Sequence, residues 1–303
     1  MPSMVSAAAR IDVEAWQSIL FVPVLNKRYI AKACTSAADA VQLDLEDSIL
    51  PADKARARAL VSTAARQLHQ AGKPVSVRIN QPLELAVPDI QAAVAADAHA
   101  LMLPKVVGPD HVRLLDEMVG RLEHDCQRQV GSLRFIVVIE TPGAYHRMPE
   151  IFGSSPRIAG AMLGNEDFAQ ACHCDPGEET MRCYKAAMVA AARAAGVKPF
   201  GTLGSIASFA DKPAYEAMVR RSRAAGFHGT TCIHPSQVDI VNAVYGPNAE
   251  RLDWARRIVT LADEAAARGK GAFQLDGRMV DAPIVERARS LLKAAEQASA
   301  KER

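Results

Sequence analysis

The strongest constraint in this sequence is a repeated alternation in which short apolar runs are followed by longer Ala-, Arg- and Leu-rich segments with helical spacing. Eight runs are readable, at 19–23, 40–45, 75–79, 100–103, 135–139, 158–163, a weaker one at 197–201, and 229–233. Most are continuously apolar, as parallel strands buried on both faces require. Segments such as 54–71 and 179–195 separate them, and several end in glycine, at Gly72, Gly196 and Gly226, where a left-handed residue stops a helix at low cost. Strands alternating with crossover helices predict an α/β fold with a parallel sheet. Eight such units favour a (β/α)8 TIM barrel over the alternative of an open doubly wound sheet. The expected boundaries are a flexible tail at 1–17, the barrel at 18–240 and a helical C-terminal extension at 241–303. In the extension, a helix near 251–268, a glycine-rich turn at 269–271, a short strand-like pair around 272–279 and a last helix from about Pro283 are too much chain for a barrel cap alone.

Composition narrows the partners. The 36 basic and 34 acidic residues nearly cancel, and no basic stripe with interleaved aromatics is present, which argues against nucleic acid and for a small molecule. No stretch reaches the roughly 20 apolar residues of a membrane span, and the first ten residues lack a secretory build. The six cysteines are scattered, as reduced thiols of a cytoplasmic protein would be. The one close set, Cys172-His173-Cys174, lacks the ligand gap of common zinc sites.

In a barrel the chemistry lies at the strand C-termini. The residues there are Asp44-Leu45-Glu46-Asp47, Arg78-Ile79-Asn80, Pro104-Lys105, Glu140-Thr141-Pro142, Gly164-Asn165-Glu166-Asp167 and His234-Pro235. So many acids on one rim repel one another unless a cation offsets them. Oxygen-rich, thiol-free surroundings select a hard ion, and Mg²⁺ needs only one or two protein carboxylates, for which Glu140 and Asp167 are the candidates. Each residue also has a plainer reading. Glu140 and Asp167 could cap helices, Glu46 and Asp47 could offset a helix dipole, and Arg78 could form a structural salt bridge to either of them. Lys105 could be solvated, and His234 a packing residue.

In order along residues 18–295, the strings Leu20-Phe21-Val22-Pro23, Leu43-Asp44-Leu45-Glu46-Asp47, Val77-Arg78-Ile79-Asn80, Met102-Leu103-Pro104-Lys105, Ile139-Glu140-Thr141-Pro142-Gly143, Glu166-Asp167-Phe168, Ile233-His234-Pro235-Ser236-Gln237 and Gly277-Arg278-Met279-Val280-Asp281-Ala282-Pro283 resemble the family of the citrate lyase β-subunit, malyl-CoA lyase and citramalyl-CoA lyase. The resemblance implies a magnesium-dependent carbon–carbon lyase acting on a 3-hydroxyacyl-CoA thioester, with Mn²⁺ as a possible substitute and CoA as part of the substrate. It also implies a homo-oligomer, a trimer or a dimer of trimers. Glu140 and Asp167 would hold the metal, Glu46 and Asp47 would orient waters around it, and Arg78 would contact the substrate. Lys105, Gly164 and Asn165 are further substrate-binding candidates. Asp281 would be the acid/base, presented from a neighbouring subunit. The first loop departs from the family's Val-Pro-Gly form, reading Val22-Pro23-Val24-Leu25-Asn26-Lys27-Arg28, with Lys27 and Arg28 as candidates for the CoA phosphates. The sixth strand carries Asn165 where a small residue is common, and the seventh lacks the usual aspartate-rich form. A CoA-independent aldolase, or a β-subunit working in a complex on a carrier-bound thioester, are the alternatives.

Overall fold

Eight parallel strands follow one another round a single sheet: β1 (Ser18–Pro23), β2 (Ala40–Asp44), β3 (Val75–Arg78), β4 (Ala100–Leu103), β5 (Arg134–Ile139), β6 (Ile158–Leu163), β7 (Lys198–Pro199) and β8 (Thr230–Cys232). The computed structural model describes residues 12–207, 209–246 and 249–301. The strand order β7-β6-β5-β4-β3-β2-β1-β8 leaves only β7 and β8 to meet. They do so through a parallel bridge between Phe200 and Gly229, with the Gly201 N–H donating to the Gly229 carbonyl at 2.9 Å. The sheet is therefore curled into the expected (β/α)8 barrel.

Alternation along each strand divides the core in two. Val41, Leu43, Val75, Val77, Leu101 and Phe135 pack outward under the helices. Ile19, Ala40, Ala100, Met102, Ile136, Val138 and Phe200 fill the barrel interior, where Val13 and Trp16 join them. Residues 12–17 are thus not the loose tail expected of them: Val13–Ala15 is a 3₁₀ turn, and Trp16 is buried among the interior side chains. The rest of that tail, 1–11, lies outside the described residues. Close packing at this end requires Gly229, since a Cβ there would stand 2.3 Å from the Gln17 carbonyl oxygen.

Gly72, Gly196 and Gly226 follow the helices Lys54–Gln70, Glu178–Ala194 and Lys212–Ala224 with positive φ, as their spacing predicts. The chain divides into two compact units, 1–245 and 246–303, because the helix Pro235–Tyr245 continues past the expected limit at 240. In the second unit, helices Ala249–Ala267 and Ala282–Lys301 flank an antiparallel pair, β9 (Phe273–Leu275) and β10 (Arg278–Val280). Asp276 and Gly277, both at positive φ, make its two-residue turn. A small core of Ala255, Ile258, Val280, Val285 and Ala288 holds the unit together. Among the described residues, no helix is long and apolar enough to cross a membrane.

Candidate active site

On β2, alternation turns Ala40, Gln42 and Asp44 inward while Val41 and Leu43 join the outer core. Asp44 is fully buried and lies beside Arg78 in the β2–β3 register. Arg78 Nε donates to Asp44 Oδ1 at 2.6 Å. Arg78 Nη1 forms ion pairs with Glu46 Oε2 at 2.9 Å and Asp47 Oδ2 at 3.3 Å, and the guanidinium carbon stands 4.5 Å from the Phe21 ring centroid. Burial works to raise the Asp44 carboxyl, but the Arg78 hydrogen bond and charge outweigh it and hold Asp44 below its ordinary range. The same carboxylates more than offset the burial of Arg78 and raise its pKa. The structural salt bridge is therefore present, and with a partner, Asp44, in addition to the two anticipated.

After β4 the chain turns at Lys105, which adopts φ +50. This conformation aims its N–H at Glu140 Oε2, at 2.5 Å. Its ammonium reaches Glu46 Oε1 at 2.8 Å, Asp47 Oδ1 at 3.4 Å and Asp167 Oδ1 at 3.9 Å, and these carboxylates raise its pKa against the opposing effect of partial burial. Glu140, buried at the end of β5, is pushed up to about 7, first by loss of hydration and then by the charges of Glu46 and Asp167, against the pull of the Lys105 N–H and charge. Gly164 is required beside it: a Cβ there would stand 2.6 Å from Glu140 Cγ. Gly164 is the N-cap of the helix Asn165–Cys172, whose first turn carries Asp167.

These side chains open onto a pocket of about 430 Å³ that contains Arg78, Glu140, Gly164, Asn165 and Asp167, with Phe21, Met102, Val138 and Met162 as apolar wall. On its far side Lys185 is buried in the helix Glu178–Ala194, where Nζ donates to Asn165 Oδ1 at 2.6 Å and to the Leu203 carbonyl at 2.9 Å. Burial lowers its pKa to about 8. Asn165 Nδ2 donates in turn to the Pro176 carbonyl at 2.9 Å. A second pocket, of about 890 Å³, shares Phe21 and Ile233 with the first and is lined by Arg28, Tyr29, Lys32 and by Phe209 stacked on His234 at 4.9 Å. Lys27 begins the helix Lys27–Cys34 and is exposed, but it does not line this pocket.

Arg78, Lys105, Glu140, Asp167, Glu46 and Asp47 are thus brought together, with Gly164 and Asn165 alongside. Asp281 belongs to the second unit, where it precedes the helix Ala282–Lys301 and its carbonyl accepts from the Ile284 and Val285 N–H groups. Sequence reasoning placed Asp44 at a strand end without giving it a role, and missed Gln42 and Lys185. For the first two the signal was available, since a polar residue at every second position of an apolar run must face the barrel interior. Lys185 carried none, because its burial depends on the loop that packs over its helix.

No group of three or more His, Cys, Asp or Glu residues preassembled for a metal is present among the described residues. Glu140 and Asp167 nevertheless suit a hard dication that keeps waters and ligand oxygens in its shell. A dication between these two carboxylates would favour the charged form of Glu140, which burial and then the neighbouring carboxylates disfavour.

Fold and rim together define a class: a (β/α)8 barrel whose strand ends gather carboxylates, an arginine and a lysine round one pocket. Residues 17–235 match the HpcH/HpaI aldolase/citrate lyase family. The chain is 32% identical over 289 residues to the citrate lyase subunit beta of Escherichia coli (strain K12), covering 94% of this chain and 95% of the relative. It is 34% identical over 304 aligned positions to the L-malyl-CoA/beta-methylmalyl-CoA lyase of Cereibacter sphaeroides (strain ATCC 17029), covering 93% and 95%. The crystal structure of CitE from Mycobacterium tuberculosis in complex with magnesium, acetoacetate and coenzyme A matches with a TM-score of 0.75 and 27% identity, over 93% of this chain and 98% of that one. The chain belongs to the HpcH/HpaI aldolase/citrate lyase family, whose members named here are lyases.

Proposed function

We propose that this protein is a magnesium-dependent carbon–carbon lyase that cleaves a 3-hydroxyacyl-CoA of malyl-CoA or citramalyl-CoA type into a 2-oxo acid and acetyl-CoA. The observation that carries this reading is the convergence of Glu140, Asp167 and Arg78 on one pocket, with Lys105 bonded to Glu140 and facing Asp167 at its rim. The names of the malyl-CoA lyase relative and of the magnesium- and CoA-bound neighbour support the substrate and metal classes. Glu140 and Asp167 would hold Mg²⁺, or Mn²⁺ in its place, which supplies Lewis-acid stabilisation to the hydroxyl and carboxylate oxygens of the acid portion.

The chain's own residues supply the rest. Arg78, fixed by three carboxylates, offers positive charge to the oxygen that becomes the 2-oxo carbonyl. It does not give up a proton, since a guanidinium stays charged at neutral pH. Lys105 holds Glu140 in place through its N–H and keeps Glu46 and Asp47 balanced, so that these two can order waters beside the metal. In the cleavage the hydroxyl proton leaves to water, the carbon–carbon bond breaks as the 2-oxo carbonyl forms, and the electron pair passes to the thioester α-carbon. Asp281 of a neighbouring subunit in a trimer or dimer of trimers supplies the proton that completes acetyl-CoA. Arg28 and Lys32, with the aromatic faces of Tyr29 and Phe209, would form a cradle for the CoA nucleotide, and exposed Lys27, outside this pocket at the start of the same helix, would add positive charge for its phosphates.

The altered first loop keeps a CoA-independent aldolase in view, and the likeness to a citrate lyase subunit keeps a carrier-bound thioester in view. The test is a coupled assay of the purified protein with Mg²⁺ and malyl-CoA or citramalyl-CoA, with EDTA as control. Metal-dependent release of 2-oxo acid and acetyl-CoA is expected. Cleavage of a free hydroxy-oxo acid alone, or activity only with a carrier protein, would replace the CoA reading with the corresponding alternative.

A further inference from the structure

Gln42 is the one inward polar residue of β2 that the chemistry above does not use, and it is unusual. Its side chain is fully buried one layer beneath Asp44, and neither Oε1 nor Nε2 has a hydrogen-bond partner among the described residues. A buried amide left unpaired forfeits its hydration with nothing in return, so such a residue needs an occupant to explain it. The surroundings say where that occupant sits. Gln42 lines the floor of the active-site pocket, below Arg78, among Phe21, Met102, Val138 and Met162. Its neighbour in the β2–β3 register is Ser76, also inward and buried, whose hydroxyl is unpaired too. A polar pair is thus set into an apolar floor, directly beneath the rim that would hold the acid portion of the substrate. The thioethers of Met102 and Met162 are the flexible side chains that can yield to a ligand reaching it.

We propose that Gln42 is a specificity-determining residue that reads a hydroxyl substituent on the side chain of the 2-oxo acid. The chemical class follows from which atoms are unpaired. An amide with both its acceptor and its donor free is complemented by a group that donates and accepts at once. A hydroxyl does this, whereas a carboxylate only accepts and would set its charge against Oε1. A methyl or hydrogen in that place leaves the amide and the Ser76 hydroxyl unpaired. A site built to pair with a hydroxyl discriminates strongly against the analogue that lacks it, for the same reason. Within the malyl-CoA and citramalyl-CoA type of substrate, the favoured 2-oxo acid is thus one whose side chain reaches Gln42 with a hydroxyl, and glyoxylate and pyruvate are released from the less favoured members. This assignment rests on the reading of the pocket as a metal-assisted 2-oxo-acid site.

The experiment compares the affinities of 2-oxobutanoate and 4-hydroxy-2-oxobutanoate, which differ by one hydroxyl, for the full-length protein in Mg²⁺. Wild type is expected to bind the hydroxy acid at least about tenfold more tightly. In Gln42→Met, which keeps the volume and removes both polar atoms, that ratio is expected to fall to one or below. The melting temperature of the variant is expected not to drop, because no intramolecular hydrogen bond is lost. Equal binding of the two acids by wild type overturns the assignment and leaves the amide to a buried water; this arm needs no variant to fold. An unchanged ratio in Gln42→Met also overturns it. If both acids bind without preference, only the Gln42 assignment fails. If neither acid binds in Mg²⁺, the oxo-acid reading of the pocket fails with it.

Discussion

Replacing Arg78 with methionine removes the charge that three carboxylates share while keeping most of the apolar stem that packs beside Phe21. Arg78 Nε and Asp44 Oδ1 are 2.6 Å apart, and at an effective dielectric of about 20 a unit pair at that separation interacts by roughly 6 kcal/mol. Burial of both groups takes back much of that, since Asp44 is fully buried and the Arg78 side chain only 14% exposed. The net loss on breaking such a pair is about 3–5 kcal/mol, because Asp44 is left charged and unpaired. For a body of this size that corresponds to a fall of roughly 6–20 °C in melting temperature. The double variant Asp44→Asn with Arg78→Met removes both charges and should be more stable than the sum of the single changes by about 1–3 kcal/mol. The pH dependence has a definite sign. In wild type the folded pKa of Asp44 lies below its ordinary 3.8, so its contribution is present above that value and is lost as pH falls through the lower folded value. In Arg78→Met the unpaired carboxyl titrates higher, so protonation relieves the penalty and the gap to wild type narrows toward pH 4. Urea unfolding at pH 7 and 4.5 reads all three effects. A loss below about 1 kcal/mol, as at a surface pair, or strict additivity in the double variant, would refute the reasoning.

Gly164→Ala should push Glu140 off its position, since the new methyl would stand 2.6 Å from its Cγ; an overpacking cost of about 1–3 kcal/mol and weaker Mg²⁺ binding by titration calorimetry are expected, and unchanged metal affinity would contradict this. His99 and His228 are both held near pKa 4, chiefly by burial, so the fold resists a proton that the unfolded chain takes near 6.5. Stability is therefore complete above about pH 6.5 and declines as pH falls toward 4, by on the order of 3 kcal/mol for each histidine. The decline should be smaller in His99→Asn, and an identical pH profile in that variant would rule this out. Mixing inactive Glu140→Gln and Asp281→Asn subunits should restore partial turnover if Asp281 acts on a neighbour's site. Two inactive variants that stay inactive after mixed refolding would place the acid elsewhere.

Much of this architecture was readable because its periodicity is strong. The runs that became β1 to β6 coincide with the apolar segments to within a residue or so, since buried parallel strands leave little freedom of composition. The seventh was weak in sequence for a physical reason: only Lys198–Pro199 forms a strand, and closure there depends on the Phe200–Gly229 bridge. Residues 12–17 were misjudged because Val13 and Trp16 are only one pair of apolar residues at helical spacing, too short a pattern to mark an element, and only the packing of the barrel interior shows that they are buried. Rim residues were legible because each directly follows an apolar run. Their partnerships were not: Asp44 reaching Arg78, or the Lys105 N–H turned onto Glu140, depend on register and on one positive φ, neither of which leaves a mark in composition.

The most direct measurement is the rate of malyl-CoA cleavage by wild type and Glu140→Gln as Mg²⁺ is titrated into metal-free protein. Saturable, magnesium-dependent release of glyoxylate and acetyl-CoA by wild type is expected, with the variant slower by at least about a hundredfold at any magnesium concentration. Equal rates for the two proteins, or cleavage by wild type that persists in excess EDTA, would contradict a lyase centred on Glu140 and Asp167.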